Sequence, residues 1–126
     1  MITMLLLVVL TALGIYVLGI STSGEEMATV ERANRAAMNA AEAGVYYGID
    51  RLPFLAAVQG VSLPNGSTYD VVSAPAGTEP IPGYDSGWAR ALITVRSTGR
   101  SASSSGAGLT IEAGAAFGPV PAGTEY

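Results

Sequence analysis

The sequence predicts an α+β protein in which a long N-terminal helix, transmembrane in its first half, precedes a small antiparallel β-sheet head. Residues 1–20 carry no charged side chain, and their number matches what a helix needs to cross a bilayer. From Glu25 to Asp50 apolar residues recur every three or four positions without a proline, whereas beyond Pro53 they alternate with polar residues between turn signals. We therefore expect a transmembrane helix over 1–24, an amphipathic continuation over 25–52 and a β-rich head over 53–126.

The apolar segment contains a nearly continuous row of branched side chains. A cleaved secretory signal would begin with basic residues, but the first one here is Arg32, so a retained membrane helix fits better. We expect the hydroxyls of Thr3, Thr11 and Tyr16 to bond to helix carbonyls. The side chains expected to pack in an apolar environment are Leu5, Leu6, Leu7, Val8, Val9, Leu10 and Leu13.

Glycines weaken the helix where hydrophobicity first falls. Gly14, Gly19 and Gly24 each lower helix propensity, by about 1 kcal/mol relative to alanine. We expect the helix to be interrupted or stretched between Gly14 and Gly24 in an assembled state. The alternative is a turn at the membrane exit, followed by a new helix with Ser23 as its N-cap.

Small residues form a flat ridge on the second half of the helix. Ala36, Ala40, Gly44 and Gly48 lie four residues apart, beside a second row formed by Ala33, Ala37 and Ala41. Such ridges allow another backbone to approach closely. The partner is either the sheet of the same chain or another subunit.

Pro53 is expected to end the helix, and the head is expected to contain three or four strands. Three of them are predicted at Tyr69–Ser73, Trp88–Ser97 and Leu109–Phe117. In the second of these, Ala89, Ala91, Ile93 and Val95 should face the helix, and Arg90 and Arg96 should face away. We expect Pro75–Gly87 to be a connection and the tail after Phe117 to be too rich in proline and glycine to extend the sheet.

Asn65-Gly66-Ser67 is a glycosylation sequon, but Asn-Gly favours a tight turn, which is our preferred interpretation. The serines at 101 and 103–105 are read as a solvated loop, with O-glycosylation as the lesser alternative. We attribute the nine aromatic residues to core packing.

Composition argues against several functions. The net charge is −4 with no lysine, so we expect no nucleic-acid partner. The chain has no cysteine and no histidine, and its acidic residues are scattered. We therefore expect no catalytic residues, metal site or cofactor.

Three segments together resemble a known family. LLLVVLTALGI, EEMA at Glu25–Ala28 and AAMNAAEAGVYYGID resemble the N-terminal region of PilX-type pilus-assembly proteins, and the order of features resembles type IV pilins and pseudopilins. ITVRSTGR followed by LTIEA resembles the strand pair that closes such heads.

The resemblance implies cleavage by a prepilin peptidase, with Met1 as the methylated first residue of the mature chain. Most major pilins carry glutamate at the fifth position, where this chain has Leu5. It further implies storage in the inner membrane, extraction by a pilus assembly machinery and self-association into a surface filament. The residues expected to pack in the core of that filament are Leu5, Leu6, Leu7, Val8, Val9, Leu10 and Leu13. We expect a structural filament subunit; the alternatives are a low-abundance minor or tip pilin or pseudopilin that primes assembly, and a single-pass anchored periplasmic binding domain.

Overall fold

The structure is a computed structural model that describes residues 2–103 and 106–123. One helix, α1 (Ile2–Asp50), is followed by four strands: β1 (Ala57–Ser62), β2 (Thr68–Pro80), β3 (Trp88–Arg100) and β4 (Gly108–Pro121). The strands form one antiparallel sheet in the order β1-β2-β3-β4. The predicted α+β fold, a long N-terminal helix followed by a small antiparallel sheet, is confirmed.

Helix α1 is continuous across the glycines that were expected to weaken it. Gly14, Gly19 and Gly24 are all helical in the single chain, and Ser23 lies inside the helix rather than at an N-cap. The Ser23 hydroxyl donates to the carbonyls of Gly19 and Ile20, at 3.1 and 3.0 Å. The single chain therefore has neither a break nor a membrane-exit turn here, and an interruption in an assembled state stays a prediction.

The chain divides into two compact units, 1–32 and 33–126, with the boundary inside α1. The first unit is helical throughout its described part. The second contains the rest of α1 and the sheet. The division into three parts at 1–24, 25–52 and 53–126 stays a prediction.

Alternation along β3 builds the core of the second unit. Ala89, Ala91, Ile93 and Val95 are buried, and Arg90 and Arg96 are exposed, as predicted. A period of two places successive side chains on opposite faces of the sheet. The core cluster of buried residues comprises Ala40, Ala56, Tyr69, Val71, Ile93 and Val95, and Ala43 and Tyr47 of α1 pack against it.

The first parts of two segments predicted as loops continue the sheet instead, whereas 81–87 are a connection as predicted. β2 extends to Pro80 and β4 to Pro121. Beyond the last pair with β1, Ala57 with Val72, β2 has a neighbour on one side only, and β4 is one of the two edge strands of the sheet. Proline is tolerated at an edge because the N–H it lacks would otherwise face solvent.

The predicted turn at Asn65-Gly66 is confirmed. Gly66 has φ +78°, and its N–H donates to the Leu63 carbonyl at 2.9 Å. The Asn65 Oδ1 accepts hydrogen bonds from the N–H and the hydroxyl of Ser67, at 3.1 and 2.6 Å. The sequon residues therefore hold the turn between β1 and β2.

Candidate assembly surface

The first unit presents a long apolar surface. Its exposed large apolar side chains up to Ile20 range in exposure from 49% at Val9 to 78% at Met4. They are Met4, Leu6, Leu7, Val8, Val9, Leu10, Leu13, Ile15, Tyr16, Val17, Leu18 and Ile20. Six of the seven residues predicted to pack in an apolar environment are in this set; the side chain of Leu5 lies outside the described residues, as does all of Met1.

Leaving this surface in water is energetically costly. Full burial of one such side chain contributes about 1.5–3 kcal/mol. For a dozen side chains that are about half to three-quarters exposed, the sum is on the order of 20 kcal/mol, which exceeds the whole stability of many small domains. The segment therefore requires lipid or protein around it.

Two threonine hydroxyls of the segment bond to carbonyls of their own helix. The Thr11 hydroxyl donates to the Leu7 carbonyl at 2.5 Å, which confirms one of the three predicted bonds. Thr22 donates to the carbonyls of Leu18 and Gly19, each at 3.1 Å. A hydroxyl that bonds its own helix does not require water, so these residues are compatible with an apolar environment.

By length and composition, α1 is able to span a membrane. No charged residue precedes Glu25, and the apolar run is about as long as the hydrocarbon core is thick. The predicted transmembrane capacity of the helix is therefore present.

The glycines of α1 fall into two groups with different surroundings. A methyl group added at Gly14, Gly19 or Gly24 would meet nothing within 4 Å. One added at Gly44 would lie 2.8 Å from Val71 Cγ2 and overlap the Ser97 hydroxyl. The second group is thus explained by packing inside the chain, whereas the first has no packing reason among the described residues.

The small-residue ridge contacts the sheet of its own chain. Ala40, Gly44 and Gly48 are buried and Ala36 is half-buried. A methyl group at Gly48 would lie 2.5 Å from Val95 Cγ1. Of the two partners considered for the ridge, the chain's own sheet is in contact with it.

Two acidic side chains bond to nearby backbone N–H groups. Asp70 accepts hydrogen bonds from the Gly60 N–H, at 2.7 Å, and from Arg100, and these two donors, in that order, lower the pKa of its carboxyl. Asp85 Oδ1 accepts from the Ser86 N–H at 2.7 Å. Within 2–103 and 106–123, no group of three or more His, Cys, Asp or Glu side chains could hold a metal ion.

Several aromatic residues do not belong to the core, so their assignment to packing is wrong for them. Tyr69 is buried, and Tyr47 packs against it with ring centroids 6.2 Å apart. Tyr46 and Phe54, in contrast, are 73% and 76% exposed. The sequence did hold a signal for Tyr46, because it lies two residues from both Gly44 and Gly48, about 200° around the helix from the face they bury.

No family model matches this chain, and no curated protein or solved structure matches it. The resemblance to type IV pilins therefore rests on the quoted segments alone.

Proposed function

We propose that this chain is a structural subunit of a type IV pilus-like surface filament, held in the inner membrane before assembly and joined to its copies through the apolar half of α1. The observation that carries the proposal is the row of exposed apolar side chains between Met4 and Ile20, at the start of a helix whose last third packs in a folded head.

The apolar row needs a partner at every stage of the subunit's life. While the helix spans the membrane, lipid covers the row, so its apolar side chains are not exposed to water. Once the subunit leaves the membrane, contact with the same segment of other copies is the available substitute. Burial then contributes roughly 25 cal/mol per Å² of apolar surface removed from water, which makes the fibre stable and the free monomer insoluble.

The glycines with open surroundings support helix-to-helix contact. Helices in an apolar environment associate most closely where small residues line the contact. Gly14 and Gly19 have space around them, so a neighbouring backbone can approach there. The same glycines and the hydroxyls of Thr22 and Ser23 would also ease stretching of the helix during assembly.

The head has a hydrophobic core of its own. Ala40 of α1 and Val95 of β3 belong to one buried cluster, and Gly44 and Gly48 allow α1 to lie directly on the sheet. A subunit can therefore fold before assembly and leave the apolar row available for copies.

Mechanical shearing of cells tests the proposal. We expect sheared fibres to contain this polypeptide as their main band, with intact mass showing a methylated amine at Met1. Traces of the chain in fibres made of another protein would indicate the minor pilin instead. Retention of all the chain in membranes would refute a filament role and leave the anchored domain.

A substitution separates membrane insertion from assembly. Gly14→Leu keeps the segment apolar, so insertion should be unaffected, but it blocks close approach of a neighbouring helix. Gly114→Leu is the matched control, since a side chain there also meets nothing within 4 Å but lies in the sheet. We expect fewer fibres from the first variant, with equal membrane levels for both; equal fibre yields would contradict close packing at Gly14.

A further inference from the structure

The two edges of the sheet differ in how far they can accept another strand. The β1 edge has only six residues and a register shift between Val58 and Val61. Gly60 has φ +65°, and its N–H is already bonded to Asp70. Short, irregular edges of this kind are poor templates for strand pairing.

The β4 edge is long and regular. From Leu109 to Phe117 it pairs with β3 without a register shift, and the nine residues contain no proline and no basic side chain. Its one charge is Glu112, whose carboxylate accepts hydrogen bonds from Nε and Nη2 of Arg96, at 3.0 and 2.7 Å. The prolines that would block pairing, Pro119 and Pro121, lie just beyond this run.

An apolar row lies beside this edge. Ile111, Ala113, Ala115 and Phe117 share the face of the sheet that carries α1, and all four are only half-buried. The helix does not cover them fully because it is seated on β2 and β3, with Gly44 against Val71 and Ser97. A strand added to the edge would extend this row and cover it further.

We propose that the free edge of β4 pairs with β4 of a second copy of this chain, antiparallel and with Ala113 opposite the partner's Ala113. The result is a continuous eight-stranded sheet across two heads. The occupant is a second copy because β4, centred on Ala113, pairs with itself over the whole run without a charge or proline conflict.

Charge and proline content select that register. In an antiparallel pair, two opposed residues direct their N–H and C=O groups either both towards each other or both away. These directions alternate along a strand, so a symmetric pair of identical strands must place one residue opposite its own copy, at the two-fold axis. An axis at Glu112 would place two carboxylates opposite each other, which is unfavourable. An axis at Gly114 would place Leu109 opposite the partner's Pro119, which has no N–H to donate.

An axis at Ala113 avoids both conflicts. It places Glu112 opposite the partner's Gly114 and leaves the Arg96 ion pair undisturbed. In this register the large Ile111 lies opposite the partner's small Ala115. Two large apolar side chains, Leu109 and the partner's Phe117, also lie opposite each other. All nine residues of the run are paired.

This contact differs from helix assembly. Because the paired strands run in opposite directions, the 33–50 parts of α1 in the two copies also run in opposite directions. The contact therefore joins subunits of separate filaments or of opposing surfaces rather than neighbours within one filament. Pairing of the heads does not depend on the filament proposal.

Cysteine cross-linking tests the register in a chain that has no native cysteine. In the full chain in detergent micelles, oxidised with copper phenanthroline, Ala113→Cys should form a disulfide-linked dimer. Directly opposed residues have Cα atoms about 4.5–5.5 Å apart, within disulfide range. Ala115→Cys is the matched control on the same face, since two such residues would lie about 14 Å apart along the paired strands.

A charge pair at Gly114 provides the second measurement. Gly114 is surrounded by open space and has no positive φ, so either glutamate or lysine can replace it in the single chain. Combined with Ala113→Cys, Gly114→Glu places a carboxylate opposite the partner's Glu112 at two symmetric contacts. We expect it to weaken dimerisation by about 2-fold to 30-fold, and Gly114→Lys to maintain or strengthen it.

The proposal is supported if Ala113→Cys gives dimers that Gly114→Glu weakens and Gly114→Lys does not. It is overturned if Ala113→Cys gives no dimer, if Ala115→Cys cross-links equally well, or if the cross-linked product contains a different polypeptide. Sheared fibres made of this chain, together with absence of the Ala113→Cys dimer, would refute the edge pairing while leaving the filament proposal intact.

Discussion

Substitution of Gly44 by alanine measures how closely α1 is seated on its sheet. The new methyl carbon would lie 2.8 Å from Val71 Cγ2 and 2.9 Å from Tyr69 Cδ2, and it would overlap the Ser97 hydroxyl. Alanine in a helix is favoured over glycine by about 1 kcal/mol. Overpacking of a filled core costs about 1–3 kcal/mol and more where several neighbours must move. Because three neighbours must move at once, we take the overpacking cost as about 2–4 kcal/mol, which leaves a net loss of about 1–3 kcal/mol after the gain in helix propensity.

The single tryptophan, Trp88, begins β3 and reports on unfolding of the head. We expect the thermal midpoint of the full chain in detergent to fall by about 5–20 °C, since 1 kcal/mol corresponds to roughly 4–8 °C for a domain of this size. Gly24→Ala is the control, because a methyl group there meets nothing within 4 Å. An unchanged or raised midpoint for Gly44→Ala would refute close seating of the helix and make contact between copies the better account of this glycine.

Three further predictions concern the head and the ridge. The pKa of Asp70 is lowered in the folded chain, so its ionised form stabilises the fold above the ordinary carboxyl pKa of 3.8. This contribution is lost as pH falls through the lower folded pKa. The thermal midpoint of wild type should therefore exceed that of Asp70→Asn by less below about pH 4 than above it. Ser97→Ala removes a buried hydroxyl that has no hydrogen-bond partner among the described residues, so it should be neutral or stabilising. Ser67→Ala breaks a 2.6 Å hydrogen bond to the Asn65 side chain and should cost about 0.5–1.5 kcal/mol; urea titrations giving equal losses would contradict this difference. Ala40→Leu should lower the midpoint because Ala40 is fully buried. Ala36 lies one turn earlier in the same row and is half-buried; if Ala36→Leu reduces sheared fibres without shifting the midpoint, Ala36 lies between copies.

The sequence by itself determined the order and type of the helix and of three of the four strands. Twenty uncharged residues could only be stable as a helix in an apolar environment, and the alternation from Ala89 to Val95 fixed which face of β3 is buried. Asn65-Gly66 marked the turn because glycine adopts a positive φ without strain. These features depend on local periodicity and local backbone preferences, which the sequence displays directly.

What lies beside each element was decided only by the tertiary structure. The ridge residues Gly44 and Gly48 were compatible with a sheet or a neighbouring subunit, and only the positions of Val71, Ser97 and Val95 placed them against the sheet of the same chain. Pro75 and Pro119 indicated loops, but both lie where a strand has a neighbour on one side, and proline breaks a ladder only where its N–H is needed. Whether a small residue admits a backbone, or a proline interrupts a strand, depends on what stands next to it, and that neighbour comes from a distant part of the chain.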